Sequence, residues 1–381
     1  MEWIMSSYFT ELWSLLGGNV YILILCGIFF LYHLIVVIYK SVLITSREKG
    51  STAKEGEGIS VIITSNNRAE ELKENLCFFL EQDYPDFEVI VVDECSEDNT
   101  QEVLAEMQQK YPHLRTTRIF PETKFRSTKK IAINIGILAA RHDILLFSEI
   151  DCRPASNEWI KNMQSYFTPD TAVVLGYANY PDQRKGMGIR RGIRFMRFLK
   201  MFLLIKAKCY VSGDGRNMGY RKKFYISKRG FSRNSQSYIG YDNEMVNVLS
   251  GLGKVKVAKK ENTFIIINDD KKKTWKEDSS YYYINKRRWP VKAWLRAEID
   301  TIIRTLLYIF LFFLLFKQIF REYIIACILL TFLIDFITIN IYLKHLKQKK
   351  LFLISLFVSS VGFLYRWYYN IYSIFTSKKW R

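Results

Sequence analysis

From residue 59 to residue 163, apolar runs of strand length alternate with stretches whose apolar residues recur at helical spacing. Ile59-Ser-Val-Ile-Ile63 opens the series as a strand, and Thr64-Ser-Asn-Asn-Arg68 follows as a polar loop. Leu72, Leu76, Phe79 and Leu80 mark one face of a helix running to about Gln82. Asp83-Tyr-Pro-Asp86 is a turn and Phe87-Glu-Val-Ile-Val-Val92 a second strand; Ser96 then caps a helix with Asp98 in its first turn. A third strand near Leu114 to Ile119 and a helix from Lys129 to Arg141 lead to Ile144-Leu-Leu-Phe147. That run is short and continuous enough to be buried on both faces. Pro154 stops it, and Ser156 caps a further helix carrying Glu158. Strand and helix alternating at this spacing predict an α/β fold built on a mostly parallel, doubly wound sheet.

Such a sheet binds ligands outside the carboxyl ends of its strands. Asp93, Glu149 and Asp151 fall at those ends. Glu149 and Asp151, one residue apart, would repel each other unless a divalent cation or a ribose hydroxyl sat between them; the plainer alternative is a solvated acidic turn.

The pattern changes at both ends of the chain. Val20 to Tyr39 is uncharged and of membrane-spanning length. No small-residue cleavage site follows it, so a retained helix is expected. Glu2 and Glu11 precede it and Lys40, Arg47 and Lys49 follow, a bias that puts residue 40 onward in the cytoplasm. Ser46 to Gly58 is a polar, Gly-rich linker. Towards the C-terminus, Ile302 to Phe316, Tyr323 to Tyr342 and Leu351 to about Ile374 are three further spanning or interfacial candidates, the last one rich in Tyr and Trp. A count of three spans there would leave Lys378, Lys379 and Arg381 outside, against the charge bias set by Lys344-His-Leu-Lys-Gln-Lys-Lys350.

Composition sharpens this picture. The 381 residues carry a net charge of +19, from 56 Lys and Arg against 37 Asp and Glu. An excess of that size suits nucleic acid, an anionic membrane face or phosphorylated ligands. The bases of the segment Arg184 to Lys208 alternate with Ile, Phe, Met and Leu at helical spacing, which predicts an amphipathic helix lying against membrane lipids. Bases that cluster with apolar residues beside membrane segments argue against nucleic acid as a partner. Six cysteines without a C-x-x-C pair imply free thiols in a reduced compartment. Asp242, in Gly240-Tyr-Asp-Asn-Glu-Met-Val-Asn, opens a helix and could be no more than a dipole-favoured acid. Arg288 and Trp289 could be interface anchors.

Taken together, several blocks resemble the GT-A fold of family 2 glycosyltransferases over about residues 59 to 290. They are V-I-I-T-S-N-N-R, Q-D-Y-P-D-F-E-V-I-V-V-D-E-C-S-E-D-N-T, K-K-I-A-I-N-I-G-I-L-A-A, L-L-F-S-E-I-D-C-R-P, G-x-G-R-N-M-G-Y-R-K, G-Y-D-N-E-M-V-N and N-K-R-R-W. The resemblance implies a division into an N-terminal transmembrane helix (1–45), a nucleotide-sugar-binding half (46–182), an acceptor half (183–298) and C-terminal transmembrane or interfacial helices (299–381).

It also implies roles. Thr64 and Asn67 would line the nucleotide pocket, Asp93 would accept a hydrogen bond from the base, and Lys129 would contact the nucleotide. Glu149 and Asp151 would be the D-x-D element, Asp151 holding Mg²⁺ or Mn²⁺ on the diphosphate and Glu149 reaching the ribose or a metal-bound water. Asp242 would be the catalytic base. Asn285, Arg288 and Trp289 would match Q-x-x-R-W, closing over diphosphate and acceptor. Two positions depart from the family pattern: Glu149 stands where Asp is usual and Asn285 where Gln is usual. The implied activity is inverting, metal-dependent transfer from a nucleotide-diphosphate sugar to a lipid-linked or cell-envelope glycan acceptor at the cytoplasmic face of the inner membrane. A processive polysaccharide synthase and a non-catalytic membrane scaffold are the alternatives.

Overall fold

The computed structural model describes residues 17–46, 56–120, 128–182, 185–231, 240–358 and 362–376. Glu2, Glu11, Arg47, Lys49, Arg184, Lys378, Lys379, Arg381 and most of the Gly-rich linker lie outside them. The chain divides into two compact units, residues 1–47 with 291–367, and residues 48–290 with 368–381.

The second unit carries the expected sheet. Strands β1 (Ile59–Ser65), β2 (Phe87–Glu94), β3 (Leu114–Ile119) and β4 (Ile144–Glu149) are linked by helices α2 (Ala69–Leu80), α3 (Thr100–Lys110) and α4 (Thr128–Ala139), with α1 reserved for the membrane-length helix Asn19–Thr45. All four strands run parallel in the order β3-β2-β1-β4. Every residue of β1 is buried, as continuous Val/Ile runs require when helices cover both faces. After β4 come β5 (Cys152–Pro154), α5 (Trp159–Gln164), β6 (Thr171–Leu175), β7 (Ala178–Asn179) and α6 (Gly188–Lys206). Next are β8 (Met218–Arg221), α7 (Lys222–Ser227), α8 (Asn243–Leu249), β9 (Lys254–Val257), β10 (Ile265–Ile267) and α9 (Lys272–Arg287). The main sheet reads β3-β2-β1-β4-β8-β6-β9, with β8 antiparallel to both neighbours, and β5-β10-β7 form a small second sheet. One sheet therefore runs through both halves drawn from the sequence.

Three local expectations change. Helix α3 starts at Thr100, because Asp98 rather than Ser96 takes the amide of Thr100 (3.2 Å); Ser96 Oγ accepts from the Asn67 amide instead (2.9 Å). Beyond Pro154 the chain pairs in the small sheet before α5 begins at Trp159. The larger change is α6. Arg191 and Arg194, expected at a lipid surface, are each only 6% exposed, among Phe195, Phe198, Leu199 and Phe202. Arg191 pairs with Asp182, and Arg194 with Asp214 and Asp278. Buried bases need such partners, and Asp214 and Asp278 lie too far from Arg194 in the sequence to be assigned.

In the first unit α1 meets α10 (Val291–Phe316) and α11 (Arg321–His345). Cys26, Leu307, Leu311, Leu314, Ile324 and Ile328 form its apolar core, and Phe29 stacks on Phe310 at 6.0 Å. Near the middle of these helices, Arg304 donates to both oxygens of Asp335 (3.2 and 3.1 Å), with His33 Nε2 3.6 Å from the same carboxylate. These three helices are long and apolar enough to cross a membrane. The first C-terminal one begins at Val291 rather than Ile302. Of the third candidate, the described residues hold α12 (Leu353–Leu356) and the 15-residue α13 (Gly362–Thr376), neither of them alone long enough to cross a membrane. The last turns of α13 belong to the second unit, where Tyr369 stacks on Tyr283 at 6.3 Å and Arg287 donates to Asn370 O.

Candidate active site

A cavity of about 440 Å³ opens at the carboxyl edge of the parallel strands, the edge where such sheets take ligands. Thr64 and Glu149, paired in register at the ends of β1 and β4, form its floor with Lys129 from α4. Lys129 Nζ donates to Thr64 Oγ1 and to Glu149 Oε2, both at 2.5 Å, and Tyr241 Oη donates to Glu149 Oε1 at 2.7 Å. Burial works against both charges of the Lys129–Glu149 pair. Their mutual attraction outweighs it, holding the ammonium above its usual range and the carboxyl below its own. Gly215 is required here. A Cβ on it would come within 2.6 Å of the Tyr241 ring and hydroxyl, so only glycine lets Tyr241 reach Glu149.

Across the cavity Asp242 caps α8 and is 4% exposed. Its Oδ1 accepts from the Asn243 amide (2.8 Å), Asn243 Nδ2 (3.0 Å) and Tyr281 Oη (2.9 Å). Among the described residues no donor meets Oδ2. Burial pushes the carboxyl up to about 6, and Asp214 adds to the rise; the hydrogen bonds offset part of it. Gly240, with φ +88, turns the chain into this cap from the left-handed region.

Asp151, one residue beyond β4, also lines the cavity. Its Oδ1 accepts from Cys152 Sγ (3.0 Å), and its Oδ2 lies 3.9 Å from Arg216 Nη2. Among the described residues no group of three or more His, Cys, Asp and Glu is arranged to hold a metal ion. Mg²⁺ keeps several waters and binds through one or two carboxylates plus substrate phosphates. Asp151 suits that smaller requirement, whereas Glu149 has both oxygens engaged. The remaining wall is a charged cluster. Asp278 of α9 receives Arg194 and Arg197 from α6 and Arg216 from the loop before β8. Seven acids and five bases line the cavity in all, a net negative surround.

Residues 60–227 match the family model described as glycosyl transferase family 2. These residues belong to that family. An uncharacterized glycosyltransferase of Nostoc sp. is 31% identical to this chain over 124 residues, 32% of this chain and 37% of the relative, so well under half of the relative's length is spanned. The mannosyltransferase PcManGT from Pyrobaculum calidifontis, solved with GDP-Man and Mn²⁺, superposes with a TM-score of 0.56 at 16% identity, over 86% of this chain and 97% of that one. At that identity the likeness is one of fold, and the fold is GT-A.

The residues singled out in the sequence separate into two groups. Thr64, Lys129, Glu149, Asp151 and Asp242 line one cavity. Asn67, Asp93, Asn285, Arg288 and Trp289 do not. Asn67, with φ 51, accepts from the Glu97 amide at 2.8 Å, which ties two loops together. Asp93 is fully buried, accepting from the Ser96 amide and Gln101 Nε2 and facing Arg118 Nε at 3.4 Å. Its neighbour Glu94 takes the cavity position, as alternation along a strand demands. Asn285 is buried behind Gly240, and Arg288 is exposed at the end of α9. The cations that reach the cavity from the second half are Arg194, Arg197 and Arg216. Of these only Arg216 lay in a quoted motif, and no spacing rule distinguished it.

Proposed function

We propose that this protein is a glycosyltransferase that moves a sugar from a nucleotide-diphosphate donor to a hydroxyl acceptor, with Asp242 as base and a divalent cation on the diphosphate. The observation that carries the reading is that Asp151 and Asp242 line the same cavity, beside a Lys129–Glu149 pair, at the carboxyl edge of a family 2 sheet. A nucleoside diphosphate entering a net acidic cavity needs added positive charge. Mg²⁺ or Mn²⁺, held by Asp151 together with the diphosphate, would supply it and stabilise the charge that develops as the glycosidic bond breaks. Asp242, raised to about 6 and with Oδ2 without a donor, is ionised at neutral pH and basic enough to take the acceptor proton as attack proceeds. Direct attack opposite the leaving diphosphate inverts the anomeric centre and needs no covalent sugar–enzyme intermediate. Lys129, itself bound to Thr64, and Tyr241 hold Glu149 where it can meet the donor's ribose.

The acceptor in this reading is a lipid-linked or cell-envelope glycan, taken at the cytoplasmic membrane face. Support comes from the three membrane-length helices and from Lys40 and Lys344, bases near the C-terminal ends of the first and third. The test is sugar-nucleotide turnover by the full chain in detergent, across a panel of donors, with and without Mn²⁺. Turnover that requires the cation and is lost in Asp151→Ala and Asp242→Asn supports the reading. Full activity in both variants refutes it.

A further inference from the structure

A carboxylate that gathers three guanidinium groups in the wall of a cavity is a costly arrangement unless it holds them for a purpose. Asp278 Oδ1 accepts from Arg216 Nη1 (2.8 Å) and Arg194 Nη1 (3.2 Å), and its Oδ2 from Arg197 Nη1 (2.7 Å). Asp214 completes the cluster, accepting from Arg194 Nη2 and, through Oδ1, from the Arg216 amide (3.2 Å). Arg194 and Arg197 are also tied to Ala178 O and Ser279 Oγ, while Arg216 extends towards Asp151, with Nη2 3.9 Å from its carboxylate, a looser contact than those inside the cluster. The Nε–H of Arg216 is buried and, among the described residues, meets no acceptor.

We infer that Arg216 is the protein cation that meets the leaving diphosphate beside Asp151, and that Asp278 is the positioning residue that holds it there. The inference rests on the donor chemistry proposed above and adds to it by naming the residues that receive the departing charge. Arg288, the base that sequence resemblance put in that place, is exposed outside the cavity. Asp278 acts through charge and geometry. Its carboxyl lies in a buried site, yet the Arg216, Arg194 and Arg197 guanidinium groups keep it well below the usual carboxylate range, so it is ionised throughout the working range. Without it the guanidinium groups would repel one another and Arg216 Nη1 would lose its 2.8 Å anchor. Negative charge is greater on the released diphosphate than on the sugar ester, so an interaction at Arg216 grows along the reaction and belongs in kcat more than in donor KM.

The test uses the full chain in detergent with inorganic pyrophosphate and Mn²⁺ as the probe, followed by calorimetry, together with steady-state transfer once a donor is found. Wild type is expected to bind the probe in the presence of Mn²⁺. Arg216→Gln is expected to weaken that binding about tenfold and to lower kcat about 100-fold, with donor KM within about threefold of wild type. Asp278→Asn is expected to reproduce both effects in weaker form, Asp278→Glu to recover part of them, and the Asp278→Asn/Arg216→Gln double variant to be no worse than Arg216→Gln alone. Asp242→Asn should leave probe binding unchanged. Normal probe binding and normal kcat in folded Arg216→Gln would overturn the inference while leaving the transferase reading intact, and additive losses in the double variant would overturn the positioning role of Asp278. Failure of wild type to bind both pyrophosphate with Mn²⁺ and every donor would overturn the transferase reading and this inference with it.

Discussion

Tyr281 Oη donates to Asp242 Oδ1 at 2.9 Å, joining the middle of α9 to the cap of α8. The bond favours the ionised carboxylate and so restrains a carboxyl that burial has raised to about 6. Transfer should therefore fall off on the acid side with an apparent midpoint near pH 6. Tyr281→Phe removes a stabilising donor, so the midpoint should move to higher pH by up to about one unit, with the loss of rate greatest below pH 7. A pH–rate profile of both proteins checks this; an unmoved acid limb would contradict it.

The same carboxyl links pH to stability. A folded-state value above the ordinary one favours the folded protein in acid, and that advantage is lost as pH rises through about 6. At neutral pH Asp242 is therefore a strained charge kept for function. Asp242→Asn should abolish transfer yet raise the unfolding free energy at pH 7.5 by about 2 kcal/mol, a gain that shrinks to nothing near pH 4. Thermal melts at the two pH values decide it.

Much of this was legible in advance, and the reasons are physical. Continuous Val/Ile/Leu runs identify parallel strands because nothing else buries both faces of a strand, so β1, β2 and β4 fell where expected. Glu149 and Asp151 followed, since strand ends fix the binding edge, whereas Thr64 came from the resemblance alone. Asp93 did not, because sequence cannot tell which side of the pleat an adjacent acid takes; here Glu94 faces the cavity and Asp93 faces Gln101 and Arg118. The arginines of α6 looked like lipid anchors because their partners, Asp214 and Asp278, are separated from Arg194 by 20 and 84 residues. Only the fold brings opposite charges together over that distance.

Lys129 and Glu149 should behave as one unit. Lys129→Met leaves the Glu149 carboxylate in a partly buried site with Tyr241 as its remaining donor, at a cost of about 2 kcal/mol. The depressed value of Glu149 stabilises the fold above the ordinary Glu range, and that contribution is lost as pH falls through the folded-state value. The deficit of Lys129→Met should thus be largest at neutral pH and close in acid. Adding Glu149→Gln should recover part of it at pH 7, which a double-mutant cycle on melting temperature would measure.

Gly215→Ala tests the support beneath Glu149 without touching a charge. The new Cβ would lie within 2.6 Å of Tyr241 Cε2 and Oη, and the ring must move away from the carboxylate. Activity should drop at least tenfold, with Tyr241→Phe giving a loss of similar size, while the protein remains folded by circular dichroism. A fully active Gly215→Ala would mean that the Tyr241–Glu149 bond is dispensable.

The first unit offers a separate test, because Arg304 and Asp335 pair near the middle of two helices apolar enough for a membrane. A charge in that environment is tolerated only beside its partner. Asp335→Asn takes from the Arg304 guanidinium the carboxylate it donates to, and Arg304→Gln takes from Asp335 its paired cation, with His33 3.6 Å away. Each single change should cost about 3 kcal/mol or more, whereas the double change removes both charges and should cost clearly less than either. Detergent-solubilised full chain, melted with an intrinsic fluorescence readout, gives the three values. Were the single changes harmless, the pair would be no more than a surface contact, and the reading of these helices as a buried bundle would fail with it.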